Sequence, residues 1–202
     1  MQRIELSKEL IQAAALSAEE AEKTHNNIEW SVSDHEGLFA GYLGEYTFND
    51  KTGAKSVDGS RYHDTVLNGF KMEVKTKQSK WAPRLYKDGE PMWEGTVPCY
   101  LDSLHENPET RPDYFVFFNV KYSDRELVDN VYRYKVSDLE CIYYGGFMTF
   151  EDYMDKRRHI PAKEQYSTNN RLVHTDQWNI YWSELEFENL RHYDLTNSNN
   201  LV

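Results

Sequence analysis

HDTVLNGFKMEVKTKQ, residues 63–78, alternates like a strand, reverses at Asn68-Gly69 and alternates again. Asn-Gly is the strongest short-range signal for a two-residue type I′ hairpin turn, because both central positions need positive φ. With the turn at Asn68-Gly69, Leu67 faces Phe70, Val66 faces Lys71, Thr65 faces Met72 and Asp64 faces Glu73. Directly opposed residues share one face, with Cβ atoms roughly 4.5–5.5 Å apart. Lys75, two residues on from Glu73, shares that face, while Phe70, Met72, Val74 and Thr76 take the other.

Two carboxylates placed this way repel each other and stay ionised at neutral pH only beside positive charge. Lys75 supplies part of it, and a divalent metal supplies more, because Mg²⁺ takes carboxylate oxygens and leaves positions for water and phosphate. The main-chain carbonyl of Val74, between the two charged side chains, is a third candidate ligand. Lys75 is then placed to serve an attacking water or the charge on a pentavalent phosphate.

The rest of the chain sets limits on this chemistry. Its 202 residues suffice for one well-buried domain. Hydrophobic residues at 39% and aromatics at 14% make a globular composition. No apolar run approaches the roughly 20 residues of a bilayer span, and the acidic N-terminal stretch lacks the apolar core of a signal peptide. Cys99 and Cys141 form no CxxC pair, so neither a zinc site nor a disulfide scaffold is expected, and the expected location is cytoplasmic. The net charge of −11 argues against a general nucleic-acid coat. It is unevenly spread: residues 1–36 carry three bases and eight acids, whereas 71–87 carry six bases and one acid.

Ser7 is placed to cap a helix reaching about residue 24, with Leu10, Ile11, Ala14 and Ala15 inward. Ser33-x-x-Glu36 reads as a capping box for a second helix, on which Leu38, Phe39, Tyr42, Leu43 and Tyr46 recur at helical spacing and Glu45 flanks the apolar face. Residues 49–60 read as a loop with a short strand, and 78–112 as irregular, with a short helix near Tyr100–Leu104. DYFVFFNV, 113–120, reads as a strand covered on both faces, and VYRYKV, 131–136, as its hairpin partner. Asp138 onward and Thr149–Arg157 read as helical, 171–182 as strand-like, and the end as a tail.

Asp64 followed nine positions later by Glu73-Val74-Lys75 resembles the PD-(D/E)xK nuclease superfamily, the fold of many restriction enzymes and of Holliday-junction resolvases. GYLGEYTF, with Glu45 after Gly44, is similar to the helix that supplies the family's further acid, and DYFVFFNV to its next core strand. His63 stands where the family's motif has proline. The resemblance spans about residues 33–120. It implies an α/β (α+β) fold, with an αβββαβ core around a mixed sheet flanked by helices. One domain over 1–202 is expected: an N-terminal helix in 1–30, the catalytic core in 33–136, additions in 137–194 and a tail in 195–202. It further implies Mg²⁺-dependent hydrolysis of DNA, with Mn²⁺ able to substitute, a 5′-phosphate product and a possible homodimer; a phage or bacterial source is a separate expectation. Carried onto this sequence, Asp64, Glu73, Val74 and Glu45 hold the metal, and Asp64, Glu73, Lys75 and Glu45 carry catalysis.

Lys71, Lys77, Gln78, Lys80 and Arg84 are the candidate DNA contacts, against the plain reading of surface charge on a strand. Asp58 competes with Asp64 as first acid, but the turn register favours Asp64. His35, His63 and His174 lack metal spacing; Lys156, Arg157, Arg158 and His159 suit a helix C-terminus; Trp81 and Trp93 suit the core or base stacking. Two other readings stay open: an inactive binding module on the same fold, and a small-nucleotide phosphodiesterase, for which no glycine-rich phosphate loop is visible.

Overall fold

The computed structural model describes residues 1–25, 35–57, 63–128, 131–162 and 176–190. In chain order these form β1 (Gln2–Ile4), α1 (Lys8–His25), α2 (His35–Thr52), β2 (Lys55–Ser56), β3 (Thr65–Leu67) and β4 (Phe70–Ser79). There follow β5 (Tyr86–Lys87), β6 (Glu90–Pro91), β7 (Glu94–Pro98), α3 (Asp102–His105), β8 (Tyr114–Tyr122), β9 (Glu126–Val128) and β10 (Val131–Arg133). The last are β11 (Leu139–Thr149), α4 (Phe150–Lys156), β12 (Arg158–Ile160) and β13 (Gln177–Tyr181). Among the described residues, no helix is long and apolar enough to cross a membrane.

A six-stranded mixed sheet, in the order β1-β11-β8-β4-β3-β2, organises the molecule. The hairpin forms in the register read from its turn, with Thr65 opposite Met72, Val66 opposite Lys71 and Leu67 opposite Phe70. Asn68 and Gly69 take φ of 53° and 90°, the left-handed values that a type I′ turn requires. β4 then runs parallel to β8, which places Glu73 beside Phe115 and Lys75 beside Phe117. Parallel strands are covered on both faces, which explains why Tyr114–Tyr122 is nearly all apolar.

Alternation along β8 divides the core into two layers. Val116, Phe118 and Val120, with Met72 and Val74 of β4, pack under α1 and α2 against Ala14, Ala18, Phe39 and Leu43. Phe115 and Phe117 face the other way, onto Val97, Ile180, Trp182, Phe150 and Tyr153. That second layer is a small sheet, β12-β13-β7, with α4 beside it. Each buried phenylalanine contributes about 1.5–3 kcal/mol. Ser7 caps α1 through Leu10 N–H at 3.2 Å, as its position suggested.

Three sequence expectations are corrected. Val131–Arg133 pairs with Glu126–Val128 in a separate two-stranded ribbon, and the antiparallel partner of β8 is β11. Residues 139–149, expected as helix after Asp138, form that eleven-residue strand. Aromatic and β-branched residues favour a strand, and Gly145-Gly146 disfavours a helix. Gly146 has φ of 140°, and a Cβ there would lie 2.3 Å from the Glu186 carbonyl oxygen that Phe147 N–H bonds. The second helix also continues to Thr52, where a loop from residue 49 was expected. By contrast, the short helix after Tyr100, the helix after Thr149 and strand character within 171–182 are all present. Ser33, Asp58, His174 and the 195–202 tail lie outside the described residues.

Candidate metal and catalytic site

β3 pairs with β4 only as far as Thr65 and Met72, so the β3-side edge of β4 beyond that point is open to side chains. Asp64 N–H donates to the Met72 carbonyl at 3.0 Å, and Asp64 Oδ2 then accepts the Val74 N–H at 2.6 Å. Successive residues of a strand address opposite edges. Lys71 exchanges hydrogen bonds with Asp113, on the β8 side, so Val74 turns both its N–H and its C=O toward Asp64. The carbonyl that sequence analysis placed among the ligands therefore points to the same side as the first acid.

Glu73 is buried, 6% exposed, and its Oε1 is held by Lys75 Nζ on the same strand face. The aliphatic stem of Lys75 and the body of Glu73 lie in the layer of Phe115 and Phe117. Glu45 enters from α2, whose Phe39 and Leu43 are fixed in the other layer. Gly44 lets α2 come close to β4, because a Cβ there would sit 1.9 Å from Thr76 Oγ1.

Asp64, Glu45 and Glu73 are near enough for their charges to act on one another. Burial, then Glu73, pushes the Asp64 carboxyl up to about 7, against Lys75 and the Val74 N–H, which favour the anion. Glu45 is pushed well above its ordinary value, first by burial, then by Asp64 and Glu73, with Lys75 opposing. These groups titrate together, and near neutral pH the cluster holds protons that a bound cation would displace.

A further group emerges that the sequence did not single out. His105, at the end of the single-turn α3, is 5% exposed and stands edge-on to Phe115 and Phe150 at 5.6 and 5.9 Å. Its Nδ1 has no hydrogen-bond partner among the described residues. Burial first, then the charge of Lys75, pushes it down to about 4, so it is a neutral imidazole beside the lysine. No spacing in the sequence links it to the hairpin; only the return of the chain between β7 and β8 does.

The candidate DNA contacts are dispersed. Lys71 Nζ donates to the Glu109 carbonyl at 2.9 Å, Lys77 Nζ to that of Glu94 at 3.4 Å, and Gln78 Nε2 to Tyr122 Oη at 3.4 Å. Lys80 pairs with Asp124 at 2.7 Å, whereas Arg84 is exposed. The second basic cluster is structural: Arg157 pairs with Asp102 at 2.8 Å and covers Trp178, and Arg158 pairs with Glu94 at 2.8 Å. Trp93 packs on Trp182, while Trp81 is exposed.

The donor set fits a hard cation in its chemistry, being carboxylate and carbonyl oxygens alone. It is not a closed cage: among the described residues no three acidic, histidine or cysteine side chains are arranged to hold a metal ion. Glu73 is committed to Lys75 and Asp64 to the Val74 N–H, so an entering cation would draw Glu73 off the ammonium. The chain matches no protein-family model, and no curated protein sequence matches it.

Proposed function

We propose that the protein is a metal-dependent deoxyribonuclease acting through Asp64, Glu73 and Lys75, with Glu45 in support. One observation carries this reading. At the open edge of β4, the Glu73 carboxylate raises the proton affinity of both Asp64 and Glu45 beside the Val74 main-chain carbonyl, with the Lys75 ammonium on Glu73 itself. The order of elements from α2 through β2, β3 and β4 to α3 and the parallel β8 supports a restriction-endonuclease-like core, with β5, β6 and β7 inserted before α3.

Asp64, Glu73, the Val74 carbonyl and Glu45 would hold Mg²⁺ or Mn²⁺. When bound, the ion would supply positive charge for the phosphate oxygens. Asp64 is oriented by the Val74 N–H, and Lys75, released from Glu73, holds the attacking water and meets charge that develops on the phosphate. The water oxygen forms the new bond to phosphorus as the bond to the leaving 3′ oxygen breaks. Cleavage of plasmid, single-stranded and branched DNA with Mg²⁺ or Mn²⁺ tests this, using wild type, Glu73→Ala and Lys75→Ala. Loss of cleavage in both variants is expected; equal cleavage by all three refutes the site.

The mutual pairing of Glu73 and Lys75, together with the charge of −11, favours a second reading, a binding module without catalysis. Calorimetry with Mn²⁺ separates the two. Uptake that Asp64→Asn abolishes supports the nuclease; a protein indifferent to divalent ions supports the module.

A further inference from the structure

After β4 the chain leaves the sheet as a hairpin arm, residues 80–92. Ser79 Oγ fixes its start, accepting Trp81 N–H at 2.8 Å and donating to the Trp81 carbonyl at 2.9 Å. Tyr86 pairs with Pro91 and Lys87 with Glu90 around Asp88-Gly89, whose φ values of 54° and 86° make a tight reversal. Met92 N–H closes the base on the Leu85 carbonyl at 2.9 Å. Leu85 and Trp93 anchor the arm in the second core layer, so its outward side chains are held on a set backbone.

Those outward side chains are unusual for an acidic protein. Trp81 is 63% exposed and Tyr86 55%, and Met92 is exposed as well. Single exposed apolar residues are ordinary, but here three fall in one short segment. The arm carries Lys80, Arg84 and Lys87 against Asp88 and Glu90, a small positive balance in a chain of net −11. Arg84 and Lys87 are exposed on the arm itself. Exposed aromatic faces beside cations suit unpaired bases joined by phosphates: rings stack on any base, and cations meet the backbone. Duplex DNA hides its base faces, so it gains only the charge.

We propose that the arm grips an unpaired DNA strand, with Trp81 and Tyr86 stacking on bases and Arg84 and Lys87 on phosphates, so that the substrate is DNA carrying a single-stranded stretch next to the cleavage site. This deepens the nuclease reading and rests on it for the choice of DNA.

The test is binding without divalent ions, read as fluorescence anisotropy of a labelled oligothymidylate and of a blunt duplex, in matched salt. Wild type is expected to prefer the oligothymidylate. Trp81→Ala with Tyr86→Ala should cost roughly tenfold or more on it and leave the duplex unchanged. Trp81→Phe should keep most of the affinity, and Arg84→Ala with Lys87→Ala should weaken both ligands and flatten their salt dependence. Wild-type affinity in the double aromatic variant, or a wild type that does not distinguish the two ligands, overturns the proposal. Glu73→Ala separates the two readings. If it still cleaves DNA while the arm variants lose single-strand binding, the catalytic site is wrong and the arm stands; if it is inactive while they bind normally, the reverse holds.

Discussion

On the α1/α2 side of the central sheet, Phe39, Leu43, Val116, Phe118 and Val120 close against one another, and Gly44 brings helix and strand into contact. On the other side Phe115 and Phe117 are just as buried, but polar atoms lie among them. His105 Nδ1, both amide atoms of Asn119, and the indole nitrogens of Trp93 and Trp182 are buried there with no partner among the described residues, against Thr76 Oγ1 on the first side. Such atoms are met by ordered water or cost about 1–3 kcal/mol each. Glu73 and Lys75 project from this second side. The second face thus accepts more buried polarity than the first, and Glu73 and Lys75 sit on it while Glu45 approaches from the α2 side.

The largest expected effect tests this division directly. Glu73→Ala or Lys75→Ala should lower metal-dependent cleavage by about 10²–10³-fold or more, since the first removes a ligand of the proposed metal and the second the ammonium that meets charge on the phosphate. Both should leave cooperative unfolding in place, because the apolar packing around them survives. Leu43→Ala should do the opposite, costing about 2–5 kcal/mol of stability while the remaining folded protein keeps its cleavage rate. If Lys75→Ala unfolds the chain as readily as Leu43→Ala, the two faces do not differ in kind.

The pH dependence sharpens the same contrast. Asp64 titrates near 3.8 when unfolded and near 7 when folded, so the native state holds a proton that the unfolded state has lost. Its contribution therefore falls as pH rises from about 4 to about 7, with a slope approaching about 1.4 kcal/mol per pH unit. Glu45 acts in the same direction. His105 opposes both: it titrates near 6.5 unfolded and near 4 folded, so its contribution is complete above 6.5 and is lost as pH falls toward 4. With two carboxyls acting one way and one imidazole the other, wild-type stability should fall as pH rises from about 4 to about 7. Asp64→Asn should gain on wild type between pH 5 and pH 8, and His105→Phe should gain on wild type between pH 7 and pH 5. Urea unfolding at three pH values measures both; stability differences that do not change with pH would mean that neither group is shifted by its surroundings.

Packing at two glycines compares the layers next. A Cβ at Gly44 would meet Thr76 Oγ1 at 1.9 Å, and one at Gly95 would meet the Phe117 ring at 2.3 Å. Overpacking of this sort costs about 1–3 kcal/mol. Gly44→Ala should sit at the upper end, since Thr76 is β-branched and stiff. Gly95→Ala should cost less if Phe117 can tilt into the more polar layer. Equal losses in thermal unfolding would mean that the second layer is packed as tightly as the first.

How much of this was legible in the sequence follows the reach of the forces involved. The hairpin was readable because Asn68-Gly69 and the alternation around it are local; the pairing holds as far as Thr65 and Met72, and Asp64 then reaches Met72 and Val74 of β4. β8 was readable because burial on both faces leaves an unbroken apolar run. β11 was not: nothing within Leu139–Thr149 specifies that it, rather than Val131–Arg133, pairs with β8. That choice depends on Trp182 and Glu186 approaching Gly145 and Gly146 from far along the chain. His105 was hidden for the same reason, since a single-turn helix brings it under Phe115 without any periodic signal. The dispersal of Lys71, Lys77 and Lys80 into intramolecular contacts is likewise a property of the folded neighbours.

The smallest effect concerns Lys80 and Asp124, which join the ends of the parallel pair β4 and β8 at 2.7 Å. The pair looks like a clasp on the central sheet, yet the Asp124 side chain is 68% exposed, and such ion pairs add little to folding. β4 and β8 are held instead by the two core layers on either side of them. Asp124→Asn should therefore leave the urea midpoint of unfolding unchanged within error. It should also release an ammonium at the root of the 80–92 arm, where Asp124 occupies it in the free protein. Affinity for oligothymidylate should then rise by about two- to fivefold at low salt and return to the wild-type value as salt screens the phosphates. An unchanged affinity would place Lys80 outside the path of the strand, whereas a lowered urea midpoint would show that the rim of the sheet, and not only its faces, holds β4 against β8.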